Sequence, residues 1–350
     1  MQRLKYWAIG SLFLAFLGGC GNAAPAPTPS SQNAVSDSSN AAHRTGSQAK
    51  TKTSTKTSTM AWPTVSVQTA GQLPLGVVGN ALAFDSKGDL ASVGGYTGVY
   101  SVRDVNLVEP TARRLALLPV PTHDAAAGFL GPDLYVFGGG QSASYNTIVR
   151  IHNGAAAVVA YLKRPLSDAV CVPYRDQGRD GLLLTGGYDG QVFKRTVQFV
   201  SLVNGKLTFT NLFALPVGLR YPAVAAVGNQ VFIAGGKEAS GQLSHQIYSW
   251  NGTGAQAHPA GRLPIGLEKA ALYADSQYLV LVGGKDPAGK SLSAIDAIQR
   301  STGKVRRIGT LPKPLADFGS AQHGHRLVIA GGTTGSGQSV NTEVYTVVVS

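Results

Sequence analysis

A pair of adjacent glycines recurs six times in this chain, at Gly94-Gly95, Gly138-Gly139, Gly186-Gly187, Gly235-Gly236, Gly283-Gly284 and Gly331-Gly332. The first members are 44, 48, 49, 48 and 48 residues apart. A fixed period of this length belongs to chains built from copies of one supersecondary unit, stacked or arranged in a ring. A second mark keeps the same step. Leu118-Pro119, Leu215-Pro216, Leu263-Pro264 and Leu311-Pro312 each begin 20 residues before a glycine pair, and Leu73-Pro74 precedes the first. Leu162 with Pro165 fills the remaining slot, which a short insertion around Arg175 to Asp180 is expected to shift.

Within each unit the apolar residues alternate or form short runs, and no helical repeat is sustained, so each unit reads as four strands. The first strand is small, as in Ala125-Ala-Ala127 and Ala223-Val-Ala-Ala-Val227. The second is bulkier, as in Leu134-Tyr-Val-Phe137 and Leu279-Val-Leu-Val282. This gradient suits a wedge whose inner strand is crowded at an axis. Gly228-Asn229 and Gly324 mark turns between the first two strands. Asn153-Gly154, Asn204-Gly205 and Asn251-Gly252 mark hairpins between the last two, where positive φ is inexpensive. The last unit stops at Ser350 before a fourth strand, whereas Pro63 to Gln68 leads into Leu73-Pro74 as Lys304 to Ile308 leads into Leu311-Pro312. The expectation is an all-β, six-bladed β-propeller whose N-terminal strand completes the last blade and removes an open edge.

The hydrophobic run into each glycine pair, a tyrosine on the third strand (Tyr100, Tyr248 and Tyr345, with Phe199 in a similar place) and the closing Leu-Pro resemble the kelch family of propellers over residues 62–350. The resemblance implies the fold and, for many members, a ligand site on one face of the ring. It carries no particular activity, since a fold hosts many functions. Copper-containing kelch enzymes of the galactose-oxidase type need a tyrosine, histidine and cross-linked cysteine set that cannot be assembled here. Kelch proteins similar to sialic-acid mutarotases are the nearer enzymatic comparison.

Residues 1–20 combine a basic start (Arg3, Lys5) with an apolar stretch from Ala8 to Leu17, the pattern of a signal segment too short to span a bilayer. Leu17-Gly18-Gly19-Cys20 resembles a bacterial lipobox, which implies diacylation of Cys20 and anchoring to a membrane on its extracytoplasmic side. Residues 21–61 are rich in Ala, Ser, Thr, Gln and Pro, cannot bury a core, and are expected to form a disordered tether spanning about 35 Å on average.

The chain carries +12; without Arg3 and Lys5 it carries +10, and without the tether's +3 (Arg44, Lys50, Lys52 and Lys56 against Asp37) the propeller carries +7. No aromatic-basic strip or nucleic-acid motif accompanies this charge, so the expected partners are glycans, wall polymers or proteins and not nucleic acid. Cys171 is the only cysteine besides Cys20, so no internal disulfide forms, and it reads as a small buried hydrophobe. The domain is expected to act as a monomer.

In a four-stranded blade the loops entering the first strand and those joining the second to the third share one face. Aligned on the Leu-Pro marks, the entering loops place Gly79, Asp124, Asp168, Tyr221, Lys269 and Asp317 at one position, with His123, Arg220 and Glu268 just before three of them. The other loops bring Lys237 and Lys285. Asp124, Asp168, Asp317, Arg220, Tyr221, Lys237, Lys269 and Lys285 are therefore the candidate ligand-binding residues, a two-signed rim for a polar ligand. The alternative for the three aspartates is capping of backbone N–H groups in their own turns. No HExxH, CxxC, GxSxG or P-loop pattern occurs, and no catalytic residue, metal or cofactor is assigned. His323 and His325 are expected at a turn on the opposite face without a third ligand. Binding without catalysis is the leading expectation; the alternative is an enzyme acting on a polar sugar at the mouth.

Overall fold

The computed structural model describes residues 61–109, 111–335 and 339–350. The expected signal segment 1–20, its Cys20 and residues 21–60 of the expected tether lie outside them. The described chain forms six four-stranded antiparallel sheets and contains no helix, a six-bladed β-propeller. The small strands line the axis: Ala81–Phe84, Ala126–Leu130, Ser167–Asp176, Ala223–Val227, Ala271–Ala274 and Gly319–His323. Each pairs with one bulkier strand, among them Asp133–Phe137 and Tyr278–Val282, whose Phe137 and Val282 are fully buried. Apolar clusters fill the spaces between neighbouring blades, so the second strand of each blade is buried from both sides.

The ring closes as the sequence implies. Val65–Gln72 pairs antiparallel with Glu343–Val349, from Val65 opposite Val349 to Gln72 opposite Glu343, with one irregularity between Thr69 and Gly71. Trp62, Val65 and Val67 pack against the cluster that holds Tyr345 and Val347.

The glycine pairs join blades. In the second blade, a Cβ on Gly138 (φ 62°) would stand 1.9 Å from the carbonyl oxygen of Leu166, in the loop entering the third blade. The next residue, Gly139, donates its N–H to that same oxygen at 2.8 Å. The first glycine of every pair meets the carbonyl two residues ahead of the next blade's entry position, at 1.9 to 2.6 Å from a built Cβ. Side chains are excluded there because a neighbouring backbone already occupies the space.

Three local expectations change. The insertion at Arg175 to Asp180 lengthens one hairpin, Ser167–Asp176 with Arg179–Tyr188, and does not disturb the loop before it. Leu162 N–H donates to Asn146 O, as Leu118 N–H does to Arg103 O, so Leu162 is the structural counterpart of the other leucines. Tyr100 is not on a third strand; it sits 58% exposed in the loop before Asp104–Glu109. Asn153-Gly154 and Asn204-Gly205 are two-residue turns with positive φ at both positions. Asn251-Gly252 instead opens a longer connection between Gln246–Trp250 and His258–Arg262, with Asn251 Oδ1 accepting from Thr253 N at 3.2 Å and Thr253 Oγ1 at 2.9 Å.

One outer edge is unguarded. Arg113–Leu117, Lys206–Ala214, His258–Arg262 and Val305–Leu315 carry arginine, lysine or proline, and Val65–Gln72 is broken by Gly71. Ala155–Tyr161 carries only Ala, Val and Tyr, with Val158, Val159 and Tyr161 exposed. Such an edge templates pairing with other chains. Val158→Lys is expected to leave the melting temperature unchanged and to delay aggregation in a light-scattering thermal ramp; aggregation at the wild-type temperature would count against this edge.

Candidate functional site

The two sets of loops meet on one face. In each blade the residue before the entry position bridges to the residue after the glycine pair: Val78 to Tyr96, His123 to Gly140, Ser167 to Tyr188, Arg220 to Lys237, Glu268 to Lys285, and Ala316 to Thr333. The entry residues themselves close on the axis. Gly79, Asp124, Asp168, Tyr221, Lys269 and Asp317 all adopt positive φ, between 50° and 62°. Their backbones form a complete circuit, each N–H donating to the carbonyl of the residue one blade back: Asp124 to Gly79 (2.7 Å), Asp168 to Asp124 (2.9 Å), Tyr221 to Asp168 (3.0 Å), Lys269 to Tyr221 (3.2 Å), Asp317 to Lys269 (3.1 Å) and Gly79 to Asp317 (2.9 Å).

This conformation costs a non-glycine residue about 1–2 kcal/mol, and aspartate tolerates it better than most. Tyr221 and Lys269 have no such local excuse. Residues held in a sparsely populated region point to a role that the surrounding structure enforces.

The ring narrows the axis to a neck with a cavity of about 100 Å³, lined by Asn80, Asp124, Asp168, Tyr221, Lys269 and Asp317. Asp168, its side chain 1% exposed, accepts from Ser167 Oγ at 2.9 Å, and Ser167 Oγ lies 2.9 Å from Ser144 Oγ. Arg220 Nε stands 2.7 Å from Asp168 Oδ2 as an ion pair but off the axis of a hydrogen bond. The guanidinium is caged by the rings of Tyr188 (4.9 Å), Tyr221 (5.1 Å) and Phe193 (5.4 Å), and Nη2 donates to Tyr221 Oη at 3.1 Å. Lys269 Nζ pairs with Asp317 Oδ2 at 2.5 Å and sits 4.2 Å from the centre of the Tyr221 ring. Tyr221 Oη donates to Asp124 Oδ2 at 3.4 Å. The carboxylates of the three aspartates thus meet side chains, not the N–H groups of their own turns.

These surroundings set the protonation states. Burial, and then the charges of Asp317 and Asp168, push the Asp124 carboxyl well above its ordinary range. Its ionised form is the one the fold disfavours. The resulting penalty on stability is absent at pH values below the ordinary carboxylate range and grows as pH rises toward the raised pKa. Burial works against the Lys269 charge, but Asp317 and Asp124 outweigh it and hold the ammonium above its usual range. Burial lowers His123 against the pull of Asp168 and Asp317, leaving a neutral imidazole at pH 7.

His123 and Glu268 stand beside the entry positions as the sequence places them, but their surroundings, and Ser101 altogether, were missed at the level of sequence. Ser101 Oγ lies 2.8 Å from His123 Nδ1, and the His123 ring is tilted against that of Tyr96, with centres 5.6 Å apart. His123 Nε2 is 3.8 Å from Asp124 Oδ2, too long for a hydrogen bond. Glu268 Oε2 is buried with no hydrogen-bond partner. No local pattern announces either feature. Of the candidate residues, Asp124, Asp168, Asp317, Arg220, Tyr221 and Lys269 come together at the neck. Lys237 and Lys285 stand one tier out, bridged through their backbones to Arg220 and Glu268.

Below the ring the axis continues as a cavity of about 230 Å³ lined by Leu82, Val170, Cys171, Val172, Ala225 and Gln322. Burial pushes the Cys171 thiol up, away from reactivity. His323 and His325 lie in the turn region on the opposite face and are engaged separately, His323 against the Phe84 ring at 5.3 Å and His325 Nδ1 with Tyr273 Oη at 3.3 Å. Among the described residues no group of three or more His, Cys, Asp or Glu is placed to hold a metal ion.

No protein-family model and no curated protein matches the chain. A solved structure titled "Structure of YjhT" superposes with a TM-score of 0.66 over 80% of this chain and 99% of that one, at 16% identity. At that identity the likeness shows the propeller fold and nothing finer.

Proposed function

We propose that this propeller binds carbohydrate at the neck of its ring, displayed outside the cell on a lipid anchor at Cys20. The observation that carries the reading is the pre-organised mouth. A guanidinium caged by three aromatic rings stands beside a buried carboxylate, with a second ion pair and a third carboxyl, Asp124, around the same axis. Sugars are recognised by fixed donors and acceptors for their hydroxyls together with aromatic faces for their C–H surfaces, and rigid groups lose little entropy on binding. The +7 of the domain favours polymers bearing negative charge elsewhere along their length.

Acid–base catalysis on a sugar is the second reading, favoured by one observation: Asp124 and His123 stand 3.8 Å apart in one throat, with burial raising the carboxyl and lowering the imidazole, the shifts that suit an acid and a base. A glycan array followed by calorimetry tests both. The expected result is binding without turnover, reduced at least about 100-fold in a folded triple variant (Asp124→Asn, Asp168→Asn, Asp317→Asn), as expected when charge-assisted hydrogen bonds are removed. Full binding by that variant would remove the neck from the site. Turnover lost in His123→Gln would establish the second reading.

A further inference from the structure

The wall around the mouth is uneven. The position after the glycine pair holds Tyr96, Tyr188, Lys237, Lys285 and Thr333 in five blades, and in the second blade it holds Gly140. The loop that starts there is also the shortest. Three residues separate Gly140 from its bridge partner Ser144, against four between Tyr96 and Ser101 and between Tyr188 and Phe193, and five between Lys237 and Leu243 and between Lys285 and Ser291. So tight a loop excludes a side chain at its start, since a Cβ on Gly140 would stand 2.3 Å from the Ala143 carbonyl oxygen. The rim therefore has a notch at the second blade, tipped by the exposed Ser142 and Ala143.

Two tyrosines flank the notch. Tyr96 of the first blade and Tyr188 of the third are each fixed by a phenol that donates to a glycine carbonyl two residues on, Gly98 at 2.9 Å and Gly190 at 2.7 Å. Each is one contact from the neck. The Tyr96 ring lies 5.6 Å from that of His123, the chain neighbour of Asp124, and the Tyr188 ring lies 4.9 Å from the guanidinium that pairs with Asp168. A line of hydroxyls joins the notch to the neck: Ser144 Oγ lies 2.9 Å from Ser167 Oγ, which donates to Asp168 Oδ2 at 2.9 Å. Aromatic faces beside a row of hydroxyls suit the C–H and O–H surfaces of a sugar chain.

We infer that the notch is the exit for a linear oligosaccharide, whose terminal residue sits over the neck and whose following residues cross the second blade between Tyr96 and Tyr188. This rests on the carbohydrate reading above and narrows it to the end of a chain. The neck cavity of about 100 Å³ has room for a few waters and not for a sugar ring, so the terminal residue stays above it. On the far side the loops of the fourth and fifth blades are longer and begin with Lys237 and Lys285, a wall that keeps a chain from running straight across the mouth.

The test is an array of linear oligosaccharides of one to six residues from cellulose, chitin and polygalacturonate, followed by calorimetry of the full chain with each length of the series that binds. Trisaccharides are expected to bind at least about 10-fold more tightly than monosaccharides, the upper end of what one aromatic face adds. Ser142→Trp, at an exposed loop tip, is expected to abolish that gain, with Ala143→Trp as a second block of the same notch. Ala288→Trp, at the exposed tip of the fifth blade's loop, is expected to leave it unchanged. Equal affinity at all lengths, a gain untouched in both blocked variants, or the same loss in Ala288→Trp overturns the notch while leaving the carbohydrate reading in place. An array without binding overturns both.

Discussion

Gly138→Ala is expected to lower the melting temperature by about 10 °C, whereas Gly131→Ala is expected to lower it by only a few degrees. Both glycines have φ of 62°, so both alanines incur the strain of the left-handed region, about 1–2 kcal/mol. They differ in what the new methyl group meets. Nothing lies within 4 Å at Gly131, while at Gly138 the Leu166 carbonyl oxygen is 1.9 Å away. That oxygen also accepts the Gly139 N–H, so relieving the clash breaks the bond that ties the second blade to the third. Strain, clash and a lost buried hydrogen bond together come to roughly 4 kcal/mol, and each kcal/mol moves the midpoint of a domain this size by about 2–4 °C. Equal effects of the two substitutions in differential scanning calorimetry would show that the glycine pair serves local conformation only.

Deleting residues 62–70 is expected to be at least as damaging, with a melting temperature lowered by about 10 °C or more, or loss of soluble protein. The deletion strips the ladder that runs from Val65 opposite Val349. It also removes the reciprocal bonds between Thr64 and Ser350, at 2.8 and 3.1 Å, and the packing of Trp62 on Tyr278, with ring centres 5.7 Å apart. Tyr345 and Val347, 1% and 0% exposed in the closed ring, would then lie on an open edge. A synthetic peptide of residues 61–72 added in trans is expected to restore part of the loss. An unchanged melting temperature would mean that the last blade stands without its fourth strand.

The two substitutions probe features of different legibility. The glycine pairs and the Leu-Pro marks are visible in the sequence because they are backbone requirements repeated once per blade, and repetition separates them from chance. The N-terminal strand could be assigned to the last blade because the count of strands leaves one place empty. Tyr100 was misplaced because a tyrosine at the right spacing looks the same on a loop as on a strand, and only burial separates the two. Asn251-Gly252 misled because a two-residue turn motif also begins longer connections. At the mouth, the alignment of Asp124, Asp168, Tyr221, Lys269 and Asp317 was readable from the repeat, yet their use was not. Capping a turn and facing a neighbour require the same aspartate in the sequence, and the choice is made by side-chain direction. Ser101 and the orphaned oxygen of Glu268 had no signal at all.

The sequence by itself determined the number of blades, the strands within them and the way the ring is fastened, since these follow from a pattern repeated six times and from the one strand position that the repeat leaves empty. Only the tertiary structure decided that the entry residues join in one circuit of hydrogen bonds. It alone decided which carboxyl at the neck has no cation, because Tyr221 reaches Asp124 across 97 residues and such pairings depend on distances between blades that no local pattern encodes.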